Sequence, residues 1–153
     1  MPGRSRLAND AWEALLTAHA EIMRQLAAED VWCEVSMREY DVLYTLSKCR
    51  EPIRLGELNR RVLLSQPALS RMVDRLVERG LVQRDADSSD GRSVLLSLTA
   101  EGRAQQHGIG RPHALGVARR MKSALDDEEL VVLRDLCRRL AAEREPATVG
   151  GRA

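Results

Sequence analysis

The sequence predicts a mainly α-helical chain that contains one small β-hairpin. Three observations support this fold class. Apolar residues recur at spacings of three and four along most of the 153 residues. Strong helix start signals stand at Ser36, Ser65 and Asp126. Between residues 81 and 98 the apolar period changes from 3.6 to 2, on either side of a Ser-Ser-Asp-Gly turn.

The composition narrows the class of protein. The chain is 44% hydrophobic and 31% charged, which excludes a wholly disordered protein. Phe is absent and only two Trp and two Tyr are present, which argues against the aromatic stacking platforms of RNA-recognition sheets. No apolar run is long enough for a transmembrane helix or a signal peptide. With three widely spaced cysteines, we expect a cytoplasmic protein with reduced thiols.

The first predicted element is a long helix over residues 8–29. Its apolar residues follow the helical period on one face, and Asn9 or Asp10 is placed to cap it. Residues 1–6 and 145–153 are rich in Gly, Pro and small polar residues without an apolar period. We therefore predict flexible tails at both ends.

The second helix begins at Ser36, where Ser36 and Glu39 form a capping box. Val35 and Tyr40 are placed as its hydrophobic staple, and the helix should end before Pro52. A short helix over residues 55–63 follows. Together these signals predict the first half of a compact helical domain.

The next helix runs from Ser65 to Arg79. Ser65 is its N-cap, Pro67 lies in the first turn, and Gly80 closes the helix in a left-handed conformation. Its buried stripe is predicted to be Leu69, Met72, Val73, Leu76 and Val77. A hairpin of residues 81–84 and 93–98 follows this helix.

Two helices complete the chain. Thr99 caps the first of them, and we expect a kink near Pro112 or a break into two helices there. The last helix begins at Asp126, which forms a second capping box with Glu129. Its apolar face includes Cys137, which we expect to be buried and inert.

Charge is unevenly distributed along the chain. The whole sequence has a net charge of +1. Residues 54–84 contain seven basic and three acidic residues, whereas residues 1–36 contain three basic and six acidic ones. Positive charge is thus concentrated on the short helices and the start of the hairpin, as in a protein that reads DNA.

Two short helices joined by a tight turn and followed by a hairpin predict a winged helix-turn-helix. The second helix must bury one face and present the other to the major groove. That free face carries Gln66, Pro67, Ala68, Ser70, Arg71, Asp74 and Arg75. Gln pairs with adenine and Arg with guanine through two hydrogen bonds. Arg92 stands at the wing tip, where it can enter a minor groove.

Residues 81–102, LVQRDADSSDGRSVLLSLTAEG, resemble the wing signature of the MarR family of bacterial transcription regulators. The matching positions are Asp90, Arg92, Leu98, Thr99 and Gly102. The upstream segment SQPALSRMVDRLVERGLVQR is similar to the family's recognition helix and the turn into its wing. The resemblance covers about residues 10–143. It departs from the family at Asn59, where a small residue is usual.

The resemblance implies specific roles for these residues. Ser65, Gln66, Ser70 and Arg71 match positions that face the major groove or its phosphates. Arg92 is implied to insert into the minor groove while Asp90 braces the wing. The family also implies a homodimer whose first and last helices intertwine. We therefore predict a sequence-specific regulator of double-stranded DNA, acting as a repressor on a pseudo-palindromic operator.

A homodimer is also expected from the residues alone. A winged helix needs only residues 37–99, and the helices on either side carry apolar stripes that so small a core cannot cover. A two-fold dimer is the commonest solution. We predict dimerisation helices at residues 7–36 and 100–144.

The resemblance suggests release from DNA by a small ligand, aromatic or phenolic, held between the dimer helices and the winged domain. The candidates to line this ligand site are Trp12, His19, Met23, Trp32, Tyr40 and Tyr44. Plain core packing is the alternative for each of them. Two other functions remain open: a regulator that senses thiol oxidation through Cys33 or Cys49, and a winged-helix module that binds protein rather than DNA.

Catalysis and metal binding have little support in the sequence. It contains no nucleophile elbow, phosphate-binding loop or H-E-x-x-H pattern. His107 and His113 lie six residues apart, which does not place them on one helix face, and no two cysteines have C-x-x-C spacing. We expect neither an enzyme nor a bound metal or cofactor.

Overall fold

A computed structural model describes residues 2–142 of the chain, without the side chains of residues 2 and 4. Its elements are α1 (Pro2–Ala27), α2 (Met37–Ser47), β1 (Ile53–Arg54), α3 (Leu55–Arg61), α4 (Gln66–Glu78), β2 (Val82–Ala86), β3 (Val94–Leu98), α5 (Ala100–Lys122) and α6 (Asp127–Ala142). The chain divides into two compact units at Gly116. The first unit contains the helix-turn-helix and the wing.

The predicted helix starts are present. Ser36 Oγ accepts the Glu39 N–H at 3.3 Å, and the Glu39 carboxylate accepts the Ser36 N–H at 2.9 Å. The same reciprocal pair joins Asp126 and Glu129, at 2.9 and 3.0 Å. Local sequence therefore determined where α2 and α6 begin, because each box satisfies N–H groups that the first helical turn leaves free.

The turn between α3 and α4 is held by Asn59. Its Nδ2 donates to the Leu64 carbonyl oxygen at 2.8 Å. Ser65 then caps α4 by accepting the Ala68 N–H, and Pro67 lies in the first turn. At the other end, Gly80 takes a φ of 70°, the left-handed conformation predicted for it. The departure at Asn59 is thus explained: its amide satisfies a carbonyl in the turn.

The sheet has three antiparallel strands in the order β1-β3-β2. Strand β3 pairs with β2 from Val82 opposite Leu98 to Ala86 opposite Val94. The predicted hairpin is confirmed, and β1 is an addition to it. We missed β1 because two residues, Ile53 and Arg54, are too few to show an alternating pattern, and their pairing with β3 is long-range.

One hydrophobic core joins the helix-turn-helix to the sheet. Its fully buried side chains include Val35, Val42, Leu43, Leu58, Leu69, Val73, Leu76, Val82 and Leu96. Val35 precedes the N-cap of α2, and the others come from α2, α3, α4 and both hairpin strands. Because α4 contributes several of them, its opposite face is held outward by a packed core rather than by the helix alone.

Three predictions are corrected. Helix α1 begins at Pro2, so the tail expected over residues 1–6 is helical from that residue. Of the two alternatives expected at Pro112, the break is wrong, because helix α5 continues through the proline as one helix with Ile109 and Gly116 buried on either side of it. Cys137 on α6 is exposed, because no side chain of α6 is buried.

Two further observations concern the ends of the chain and its helices. The tail predicted over residues 145–153 lies outside the described residues. Among residues 2–142, no helix is both long and apolar enough to cross a membrane.

Candidate nucleic-acid interface

Helix α4 presents a polar, positively charged face. Leu69, Met72, Val73 and Leu76 are all at most 7% exposed, which holds the opposite face outward. That face displays Ser65, Gln66, Pro67, Arg71 and Arg75 as exposed residues, with Ser70 half-buried between them. Arg71 and Arg75 make no side-chain hydrogen bond or ion pair with any described residue, which leaves both guanidinium groups available to a partner molecule.

The acidic residue on this face is neutralised. Asp74 accepts a hydrogen bond from the guanidinium of Arg84 on β2. The ion pair ties the middle of α4 to the first strand of the wing. It also means that Asp74 does not act as a lone negative charge beside Arg71 and Arg75, so the face is more favourable to an anion than its sequence indicates.

Asp90 organises the wing tip. Its carboxylate accepts the Arg92 N–H at 3.2 Å and the Ser93 hydroxyl at 2.7 Å. These hydrogen bonds lower the pKa of Asp90 below its usual value. The bracing role that the resemblance implied for Asp90 stays a prediction, and these two hydrogen bonds are the contacts through which it would act. Arg92 is exposed at the tip, one residue beyond Gly91.

Asp87 is a second brace that sequence reasoning missed. Its carboxylate accepts from the Ser89 hydroxyl at 2.7 Å, from the Ser89 N–H at 2.9 Å, and from Arg54 at 2.6 and 2.9 Å. Asp87 is 6% exposed. Because Arg54 lies on β1, the pair fastens the wing loop to the strand ahead of α3. No local signal connects residues 33 positions apart, so the sequence alone could not have found it.

The Asp87 brace predicts a pH-dependent wing. Hydrogen bonds from Ser89, then the ion pair with Arg54, lower the pKa of Asp87 to about 2. An unfolded Asp titrates near about 3.9. Stability from this carboxylate is therefore fully present above about pH 4 and is lost as the pH falls toward about 2. We expect the wild type to lose its stability advantage over Asp87→Asn across that interval, measured by urea unfolding at successive pH values. A constant difference between pH 5 and 2 would contradict the assignment.

Arg60 is another cation near the wing that sequence reasoning did not single out. It is exposed on α3 and lines a groove of about 890 Å³ together with Arg54 and Arg92. The groove lies between the wing and α3. Arg60 and Arg92 thus place positive charge on the two sides of this groove, which Glu57 and Asp87 also line.

A separate open cleft lies between α1, the α1–α2 connection, the start of α2 and the α3–α4 turn at Val62–Leu64. Its volume is about 950 Å³. His19, Met23 and Trp32 line it, so three of the six residues predicted for a ligand site meet there. Cys33 lines the same cleft and is exposed. The Trp32 indole donates to the Leu26 carbonyl oxygen at 2.7 Å, which fixes the ring at the cleft wall.

The two predicted tyrosines lie next to this cleft rather than in it. The ring centroid of Tyr40 lies 5.7 Å from that of Trp32 and 5.8 Å from that of Tyr44, on which the Tyr40 ring stacks. His113 completes the cluster, 5.0 Å from Trp32, and its Nδ1 atom is buried with no hydrogen-bond partner among the described residues. Trp12 is 59% exposed on α1 and does not line the cleft.

The described residues contain no group of three or more His, Cys, Asp or Glu side chains placed to hold a metal ion. Cys49 is half-buried; its thiol donates to the Thr45 carbonyl oxygen at 3.3 Å, and Arg61 lies 3.5 Å from its sulfur.

Helices α3 and α4 are joined by a tight turn and followed by the β2–β3 wing, with β1 as the third strand of the sheet. This arrangement defines a winged helix-turn-helix protein, and its outer face is basic. Comparison with known proteins then places it more narrowly. Residues 35–94 match the model of the MarR family. This match agrees with the family that the wing motif indicated, and it covers the winged helix-turn-helix segment of the chain.

Individual relatives agree with this assignment. The chain is 34% identical over 95 residues to the HTH-type transcriptional regulator YkoM of Bacillus subtilis. The matched segment covers 61% of this chain and 59% of that relative. The chain is 29% identical over 109 residues to the HTH-type transcriptional regulator PecS of Dickeya dadantii, covering 70% and 65%. The matched segment thus spans less than two thirds of each relative.

A solved structure extends the likeness beyond the winged domain. The PcaV transcriptional regulator of Streptomyces coelicolor, crystallised with its natural ligand, aligns over 88% of this chain and 92% of its own. The TM-score is 0.67 and the sequence identity is 29%. The similarity therefore includes regions on both sides of residues 35–94.

Proposed function

We propose that the protein is a sequence-specific, double-stranded DNA-binding transcriptional regulator. The observation that carries the proposal is the outer face of α4, on which Gln66, Arg71 and Arg75 are exposed while the opposite face is packed into the core. An α-helix held in this way fits the major groove, and Arg and Gln are the side chains that read guanine and adenine there. The names of the relatives YkoM and PecS, both HTH-type transcriptional regulators, support it.

The wing provides the second contact in this proposal. Arg92 is exposed on a loop that Asp90 and Asp87 both hold in place. A preformed loop loses less conformational entropy on binding than a mobile one. We assign Arg92 to the minor groove, and Ser65 and Ser70 to phosphates beside the recognition helix.

The regulator is proposed to act as a homodimer. On α1, Trp12 is 59% and Leu16 is 47% exposed; on α6, Leu136 is 47% and Leu140 is 62% exposed. Helical faces of this kind are unfavourable in water and are usually covered by another surface. A second copy of the chain would cover them, and its two-fold symmetry would match a pseudo-palindromic operator. In this proposal residues 7–36 and 100–144 are the dimerisation segments and residues 37–99 the reader.

The 950 Å³ cleft is proposed as the site of a small-molecule effector that releases the repressor from DNA. His19, Met23 and Trp32 offer it apolar and aromatic surface, and the volume lies in the range usual for small ligands. PcaV, the structural relative, was solved with its natural ligand. The exposed thiol of Cys33 in the same cleft favours a second candidate, release by thiol oxidation. In both cases the protein is a regulator rather than an enzyme.

A binding experiment tests the DNA function. We expect the wild type to bind duplex DNA with an affinity that falls steeply as salt rises, because each neutralised phosphate releases counterions. Arg92→Ala should weaken binding to specific and random duplexes alike and should reduce the slope of log K against log salt by about 1 per protomer, hence by about 2 for the dimer. Fluorescence anisotropy across a salt series measures both quantities.

Asp87→Asn is the matched control, since it loosens the wing but leaves the Arg92 charge in place. It should lower affinity with little change in the salt slope. The regulator proposal fails if the wild type at low salt shows no salt-dependent duplex binding. The protein-interaction module would then remain as the alternative.

A further inference from the structure

The C-terminal end of the recognition helix is tied to the start of α2 by one side chain. Arg79 follows α4 directly, and its N–H donates to the Arg75 carbonyl oxygen at 3.0 Å. One guanidinium nitrogen of Arg79 donates to the Glu39 carboxylate at 3.1 Å, and another donates to the Glu34 carbonyl oxygen at 2.6 Å. The Arg79 side chain therefore bridges two acceptors outside α4: a carboxylate on α2 and a backbone carbonyl in the α1–α2 connection.

The two residues that accept from Arg79, Glu34 and Glu39, both line the 950 Å³ cleft. Ser36 and Cys33 line it as well. The Glu39 carboxylate makes two hydrogen bonds. One oxygen accepts from Arg79, and the other accepts the Ser36 N–H and so caps α2. Glu39 is 9% exposed, and a nearly buried carboxylate is costly to leave without its partners. A change at the cleft wall therefore changes the hydrogen bonds that hold Arg79.

We propose that Arg79 is the positioning residue through which occupancy of the cleft alters the recognition helix. The inference rests on the proposed function, since it needs both DNA binding and a cleft that takes a small molecule. A group bound beside Cys33 displaces the Glu34–Glu39 segment. The two hydrogen bonds from Arg79 to this segment are then lost or redirected. As a result, the C-terminal end of α4 shifts against the DNA. Arg79 itself reads no base.

The second ion pair of the recognition helix provides a comparison. Arg84 binds Asp74 in the middle of α4, but Arg84 lies on β2 and leads to the wing. Neither Arg84 nor Asp74 lines the cleft. Removing this pair also takes an ion pair away from α4 but does not touch the cleft wall, so it separates a general loosening of the helix from loss of the connection.

Cys33 allows the cleft to be occupied at a defined place without knowledge of the natural effector. In a chain carrying Cys49→Ser and Cys137→Ser, N-ethylmaleimide adds only to the Cys33 sulfur, and mass spectrometry verifies one adduct. Duplex affinity is then measured with and without the adduct, using the duplex that the wild type selects from a random pool. The ratio of the two dissociation constants reports the coupling, and thermal unfolding of each variant reports its fold.

We expect the adduct to weaken duplex binding at least about fivefold when Arg79 is present, within the usual range of allosteric coupling. With Arg79→Gln the ratio should fall to nearly one, whereas Arg84→Gln should keep it. Arg79→Lys, which keeps the charge but cannot bridge two acceptors as the guanidinium does, should give an intermediate ratio and serves if Arg79→Gln unfolds.

Two outcomes would overturn the assignment: an adduct that leaves affinity unchanged in the Arg79 chain, or an equal loss with and without Arg79. Failure of the proposed function is distinguishable from both. In that case the unmodified chain would show no salt-dependent duplex binding before any adduct is made.

Discussion

Replacing Arg71 by Ala is expected to weaken binding to the selected duplex by about 10- to 100-fold and to relax its sequence preference at one position in each half-site. Arg71 is exposed on the outer face of α4, between buried Leu69 and Met72, and has no side-chain partner among the described residues. A bidentate contact from Arg to guanine contributes about 1–3 kcal/mol of discrimination. Competition binding against duplexes with single base changes measures both effects.

Arg71→Lys is the matched control. It keeps the positive charge, so a phosphate contact would largely survive, but it loses the planar pair of donors that reads a base. We therefore expect Lys to restore affinity for random duplex without restoring the preference. Equal losses on specific and random duplex for Arg71→Ala would show that Arg71 contacts phosphate only.

Replacing Gly102 by Ala should have the largest effect on folding. A Cβ atom at Gly102 would lie 1.9 Å from the Leu81 carbonyl oxygen and 2.8 Å from its carbon. That carbonyl also accepts the Thr99 N–H at 3.2 Å, so it cannot turn away without losing a bond. We expect a loss of about 3 kcal/mol in the free energy of unfolding, the upper part of the range for forced overpacking. Denaturant titration followed by circular dichroism measures it.

Gly108 supplies a control in the same helix. A Cβ there would meet nothing within 4 Å. Gly108→Ala should therefore stabilise the protein by about 0.5–1 kcal/mol, the usual advantage of Ala over Gly inside a helix. If Gly102→Ala were as harmless as Gly108→Ala, the close approach of α5 to Leu81 would be wrong. The wing motif thus contains Gly102 for a steric reason that its sequence does not reveal.

Local chemistry made most of the helix boundaries predictable, in both units of the chain. The capping boxes at Ser36 and Asp126, the cap at Ser65 and the left-handed Gly80 are short-range, because each joins residues within a helical turn or two. Apolar period placed the buried side of α4 correctly, and with it the exposed Arg71. The family resemblance then followed from the wing motif, and the match over residues 35–94 agrees with it.

The sequence pattern could not predict contacts between segments that lie far apart in the chain. Strand β1 has two residues, and its pairing with β3 is formed only when the hairpin and α3 come together. The Arg54–Asp87 brace and the Arg79–Glu39 bridge join residues 33 and 40 positions apart. In a sequence with 24 basic and 23 acidic residues, any of many pairings is possible until the backbone brings two together.

Helix α5 shows how packing overrides propensity. Gly108, Gly110 and Pro112 all disfavour a helix, and a break was a reasonable expectation at Pro112. The helix runs through them because Gln106 and Ile109, ahead of the proline, are buried within the first unit. The residues predicted for a ligand site show the same limit: His19 and Met23 line the cleft, whereas Trp12 does not, although all three follow one helical spacing on α1.

The sequence by itself determined where most helices begin and end, which face of α4 is exposed, and that a wing with Asp90 and Arg92 follows it. These features depend on hydrogen bonds and periodicities within a few residues. The tertiary structure alone decided the third strand, the Asp87 brace, the space closed to a side chain at Gly102, and the bridge from the cleft to the recognition helix through Arg79. Those contacts arise between segments far apart in the chain, which only the folded core brings within hydrogen-bonding distance.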